Sequence, residues 1–129
     1  MPKQINIEEL TKETLKDLQV NINKHCLILK FSATWCKPCE KFKSLWESKI
    51  DVLPESVKIV DVDIDESLEL FIGFKSKKMI SGVPTAMLWY KKEDEWYIPS
   101  VVISGTNEKD MDYLIDICYK EQNKKKIII

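Results

Sequence analysis

Between residues 26 and 50 the chain changes its hydrophobic period, and that change limits the folds open to it. Cys26-Leu27-Ile28-Leu29-Lys30-Phe31 is apolar at every position but one, the pattern of a central strand covered on both faces. Phe42, Leu45, Trp46 and Ile50 then recur at helical spacing. At the junction stands Trp35-Cys36-Lys37-Pro38-Cys39. Two cysteines separated by two residues can close a small disulfide ring. Unpaired backbone N–H groups and the positive end of the helix dipole face the first of them, and such a position lowers a thiol pKa from about 8.5 to roughly 3.5–7.5. Cys36 is therefore the candidate nucleophile. Cys39, one turn into the helix and more shielded, is the candidate resolving thiol. Pro38 is tolerated because it lies in the first turn.

Around this junction the other elements follow from the same kind of pattern. A short strand is expected near Gln4 to Asn6, then a helix from about Ile7 to Val20, with Asn6 and Glu9 as its capping pair. His25 falls in the next turn, where it is expected to be solvated. Val57 to Ile64 is rich in β-branched residues and predicts a strand, and Glu66 to Phe74 predicts a short helix. Thr85–Tyr90 and Tyr97–Ser104 predict an antiparallel hairpin across a charged turn, with Trp96 in that turn exposed. Pro99 marks the second strand as an edge. Met111, Leu114, Ile115 and Cys118 predict a last helix that ends near Gln122. Residues 1–122 then form one domain, and 123–129 a frayed basic and apolar tail. Phe42, Trp46, Phe71, Phe74 and Trp89 are expected in the core. Cys26 and Cys118 fall on apolar stretches and read as small core residues.

Composition removes several classes of function. The 129 residues suffice for one domain with its own core and leave no room for a second. Charged residues make up 32% of the chain, yet the formal net charge is −1, so no overall field argues for nucleic acid or an anionic membrane. Every basic residue is lysine, which removes the usual bidentate phosphate reader. No segment approaches the length of a membrane span, and the first residues lack an apolar leader. The expectation is a cytoplasmic monomer, a compartment where a close cysteine pair is more often catalytic than structural. A zinc site shares the two-residue spacing, but there is no second cysteine pair and His25 is the one imidazole, so no metal is expected.

Phe31-Ser32-Ala33-Thr34-Trp35-Cys36-Lys37-Pro38-Cys39, followed by Gly82-Val83-Pro84-Thr85 and by Gly105 before the last helix, resembles the thioredoxin family over roughly residues 5–121. The resemblance implies a thioredoxin fold: a mixed central sheet of four to five strands with helices on both faces. It implies that Pro84 is cis and packs against the cysteine pair, and that the backbone of Val83 pairs with an extended substrate segment. Trp35, Lys37, Pro38, Ile80, Gly82, Val83, Pro84, Gly105 and Thr106 then line the substrate groove. Gly82 and Gly105, having no Cβ, would let another backbone come close.

The resemblance also implies an activity, a thiol-disulfide oxidoreductase that reduces protein disulfides, draws electrons from a separate reductase and needs no bound cofactor. Two other readings remain open at this point: a binding or assembly module that keeps the motif, and an oxidase or isomerase of the disulfide-isomerase type. One departure from the family stands out. Lys30 occupies the place of a buried aspartate beneath the resolving cysteine, and Asp61 the place of that aspartate's usual lysine partner. An unpaired ammonium in a central strand would cost several kcal/mol, whereas a paired one is tolerable. Lys30 and Asp61 are therefore expected to face each other under Cys39, with the Asp61 carboxylate or a neutral Lys30 taking its proton.

Overall fold

The computed structural model describes residues 3–125. In chain order it contains β1 (Lys3–Ile5), α1 (Lys12–Gln19), β2 (Leu27–Ser32), α2 (Lys37–Lys49), a 3-10 turn (Ile50–Val52), β3 (Lys58–Asp63), α3 (Leu68–Ser76), β4 (Thr85–Trp89), β5 (Val101–Ser104) and α4 (Glu108–Lys125). The five strands form one mixed sheet in the order β1-β3-β2-β4-β5. β3 runs parallel to β1 and β2, while β4 is antiparallel to β2 and to β5. The expected thioredoxin fold is what the chain adopts, and β2, the apolar run, is its central strand.

Alternation along the strands divides the core in two. Leu27, Leu29, Phe31, Val60 and Val62 pack with Leu15, Phe71 and Phe74 on the α1 and α3 side. Cys26, Ile28, Ile59, Ala86 and Leu88 pack with Phe42 and Trp46 of α2 and with Met111, Leu114 and Cys118 of α4 on the other. The aromatic residues expected in the core are there: Phe42, Trp46, Phe71, Phe74 and Trp89 are all buried. Cys26 and Cys118 are fully buried free thiols. The Cys118 thiol hydrogen-bonds to Cys26, and that contact together with burial raises its pKa far above the ordinary thiol value of 9.0.

Several elements depart from the expectations. α1 begins at Lys12 and is capped by Thr11, whose Oγ1 accepts the Thr14 N–H at 3.1 Å. Asn6 is not the cap, because the chain before α1 is held by a tertiary contact in which the buried Leu10 N–H donates to Ser67 Oγ at 2.8 Å. Trp96 is half-buried rather than exposed; its ring meets Phe74 edge-on at 5.6 Å, and Lys12 Nζ lies 5.4 Å from its centroid. β5 starts at Val101, and the residues before it are tied to β4 by separate bonds, Trp89 Nε1 donating to Ile98 O at 2.9 Å and the Ser100 N–H to Leu88 O at 2.8 Å. β5 is nonetheless an edge strand.

His25 is half-buried, with Nδ1 donating to the Ser56 carbonyl at 3.1 Å. α4 passes Gln122 and continues to Lys125, because the buried Gln122 side chain accepts the Cys26 N–H at 2.7 Å and donates to Lys24 O at 2.9 Å. The first three residues of the expected tail are thus helical, and 126–129 lie outside the described residues. Among the described residues no helix is long and apolar enough to cross a membrane.

Candidate active site

The parallel end of β2 delivers the chain into α2 through Ala33 to Trp35, and Cys36 is the N-cap. Its sulfur accepts the backbone N–H of Cys39 at 3.2 Å, using one of the donors a helix start leaves unpaired. The two cysteines are joined as a disulfide, with Cα atoms 5.3 Å apart. Both are buried, and both belong to the apolar cluster on the α1 and α3 side of the sheet. Lys37 and Pro38, between them, are exposed.

Opposite the pair is the loop that leads into β4. The Val83–Pro84 bond is cis, as the resemblance implied. The Val83 carbonyl oxygen lies 3.9 Å from Cys36 Sγ. Three interactions hold this loop. Thr85 Oγ1 donates to Gly82 O at 2.6 Å and meets Ser104 Oγ at 3.1 Å. Gly105 N–H donates to Pro84 O at 3.0 Å, which brings the start of the β5–α4 connection beside the proline. Gly105 has φ +84°, in the left-handed region where a Cβ is disfavoured. Above Gly82 the space is open: a Cβ there would meet no atom within 4 Å.

Trp35 is 65% exposed beside the disulfide, and its indole N–H donates to Asp65 Oδ2 at 2.9 Å. Sequence reasoning missed Asp65; its place in the acidic run Asp61-Val62-Asp63-Ile64-Asp65, just past the end of β3, was the available signal. Of the expected groove residues, Gly82, Val83 and Thr106 are half-buried and Pro84 is buried. Ile80, at 5% exposure, packs in the core with Cys36 and Cys39, so it shapes the floor under the groove rather than its surface.

Lys30 and Asp61 are register partners across β2 and β3, and Lys30 Nζ lies 3.2 Å from Asp61 Oδ1. Lys30 alternates with Ile28, and Asp61 with Ile59, so the pair sits on the sheet face that α2 covers. The ammonium is buried while the carboxylate is 46% exposed. The charge is thus held inside by a partner that reaches water.

A thioredoxin family model matches residues 6–116. "Thioredoxin 3" of Plasmodium falciparum is 26% identical over 112 residues, which cover 87% of this chain and 58% of that protein. The thioredoxin of Ophiophagus hannah is 30% identical over 95 residues, 74% of this chain and 81% of that one. Among solved structures, a Plasmodium falciparum thioredoxin superposes with a TM-score of 0.63 at 24% identity, covering 92% of this chain and 90% of that one, a likeness of fold.

Proposed function

Since this chain belongs to the thioredoxin family and carries a disulfide-forming Cys36–Cys39 pair, we propose that it is a reductant of protein disulfides in which Cys36 is the attacking sulfur. One observation carries the reading: Cys36 Sγ, at the N-cap of α2, accepts a backbone N–H and lies close to the Val83 carbonyl. A sulfur with an N–H aimed at it and a helix dipole behind it is stabilised as the thiolate once the pair is reduced.

The reaction is two exchanges at sulfur. A client segment lies extended against Val83, its approach left free by Gly82. The Cys36 thiolate attacks one sulfur of the client disulfide, and the other client sulfur leaves as a thiolate. Cys39 then loses its proton and attacks Cys36 Sγ, which expels the second client sulfur. Two electrons pass to the client, and the protein is left with the Cys36–Cys39 disulfide seen in the structure. A separate reductase returns the two electrons.

The Lys30–Asp61 pair is the proposed acceptor for the Cys39 proton. Asp61 is the member of the pair open to solvent, so its carboxylate can pass a proton on through water. Trp35, Lys37 and Pro38 form the exposed ground around the sulfurs on which a client rests, and Asp65 fixes the Trp35 ring.

Insulin reduction with dithiothreitol as electron source tests the reading. The protein should accelerate precipitation of the insulin B chain, and Cys36→Ser should abolish the acceleration. Equal rates for the two proteins would instead favour a binding or assembly module.

A further inference from the structure

Beside the Val83–Pro84 loop, between the end of α3 and the edge strand β5, lies an open cavity of about 320 Å³. Met79, Ile80 and Val102 supply its apolar lining, Ser104 a hydroxyl, and Lys75 and Lys78 its charge. It adjoins the groove through the chain itself, since Ser81 in its wall precedes Gly82 and Ser104 precedes Gly105. Neither lysine has a carboxylate partner among the described residues. Two lysines of this run lie over aromatic rings, Lys77 Nζ 4.6 Å from the Tyr97 centroid and Lys75 Nζ 5.8 Å from that of Phe71.

Lys78 carries an independent signal. α3 ends in a Schellman cap, in which Met79 N–H donates to Phe74 O at 2.9 Å and Lys78 N–H to Lys75 O at 3.0 Å. The residue at the turn of such a cap must be left-handed, and Lys78 has φ +60°. Glycine fits there without a Cβ clash and is the common choice. A lysine held in that conformation places a cation on the cavity at the expense of the cap, and strained positions of this kind cluster at ligand sites.

We infer that this cavity receives an acidic side chain, aspartate or glutamate, borne by the client segment a few residues from its cysteine. The inference rests on the reading that clients lie across Val83, and it adds a preference for acidic sequences flanking the disulfide. Two cations without a carboxylate partner among the described residues, over an apolar floor, complement a carboxylate on an extended strand, and attraction of this kind acts on encounter as well as on the bound state.

Two synthetic peptides test it, each with one cysteine activated as a thiopyridyl mixed disulfide, one flanked by aspartate and glutamate and the other by asparagine and glutamine. Release of thiopyridone gives kcat/KM for each, divided by the same protein's rate on hydroxyethyl disulfide. The wild-type chain should prefer the acidic peptide about fivefold, the effect of two surface pairs. The preference should fall toward unity in the Lys75→Gln/Lys78→Gln variant, and in salt of about 1 M, where the Debye length is about 3 Å. Fluorescence anisotropy of labelled peptides with serine in place of cysteine reads the same ratio as affinity. A wild-type ratio near one, or a ratio that survives the double substitution, overturns the inference. Failure to accelerate insulin reduction would overturn the proposed function instead, and the anisotropy ratio would still decide the cavity.

Discussion

At the scale of single residues, the exchanged pair of β2 and β3 makes an asymmetric prediction. Asp61→Asn leaves the Lys30 ammonium buried without its counter-charge, which should cost about 2–3 kcal/mol. Lys30→Met leaves a carboxylate that already reaches water, so its cost should stay below about 1 kcal/mol. Urea unfolding of the two variants checks the order; equal losses, or the reverse order, would show that the buried end of the pair is not what matters. If the pair also takes the Cys39 proton, Asp61→Asn should slow resolution of a preformed mixed disulfide and shift its pH profile. The two inner thiols make a second prediction. Folding keeps Cys118 protonated above the pH at which an unfolded thiol ionises. Its contribution is therefore whole below about pH 9 and is lost as pH rises beyond that, at about 1.4 kcal/mol per unit. Between pH of about 9 and about 10 the wild type should lose about 1 kcal/mol more unfolding free energy than Cys118→Ala, whereas parallel curves would mean that Cys118 ionises in the folded core.

At the scale of elements, the cap of α3 separates what stability selects from what it tolerates. Lys78→Gly relieves a left-handed lysine and should stabilise the protein by about 0.5–1 kcal/mol in chemical denaturation, even as it removes a cation from the cavity. A loss of stability would mean that the lysine side chain contributes to the cap. The same comparison shows what can be read from sequence. β2, β3 and α2 are legible because their signals are local: a continuous apolar run, a β-branched run and a helical stripe. The cysteine pair and Pro84 are legible because they stand in fixed order along the chain. The start of α1 is not, since a hydroxyl more than fifty residues away takes the Leu10 N–H. Neither is the partial burial of Trp96, which follows from its packing on Phe74 and Lys12. Gln122 reads as the end of the last helix, and its hydrogen bonds to Cys26 N and Lys24 O, just before β2, make it a buried anchor within α4. In each case a long-range partner, invisible to periodicity, overrides a reasonable local choice.

At the scale of the whole molecule, the sheet brings together two regions distant in sequence, the β2–α2 junction and the loop before β4. The strand order places β4 directly against β2, so Val83 arrives at Cys36 by topology rather than by local preference. Rigid elements then hold the sulfur, the donor aimed at it and the carbonyl beside it in one place, as directional exchange at sulfur requires. Direction is the central claim: Cys36 attacks and Cys39 resolves. Trapping tests it most directly. Reduced Cys39→Ser, mixed with a disulfide-containing client such as insulin, should accumulate a stable mixed disulfide, and peptide mapping by mass spectrometry should place the client on Cys36, while Cys36→Ser accumulates none. An adduct that forms through Cys39 in Cys36→Ser, or no adduct on Cys36 in Cys39→Ser, would contradict the account.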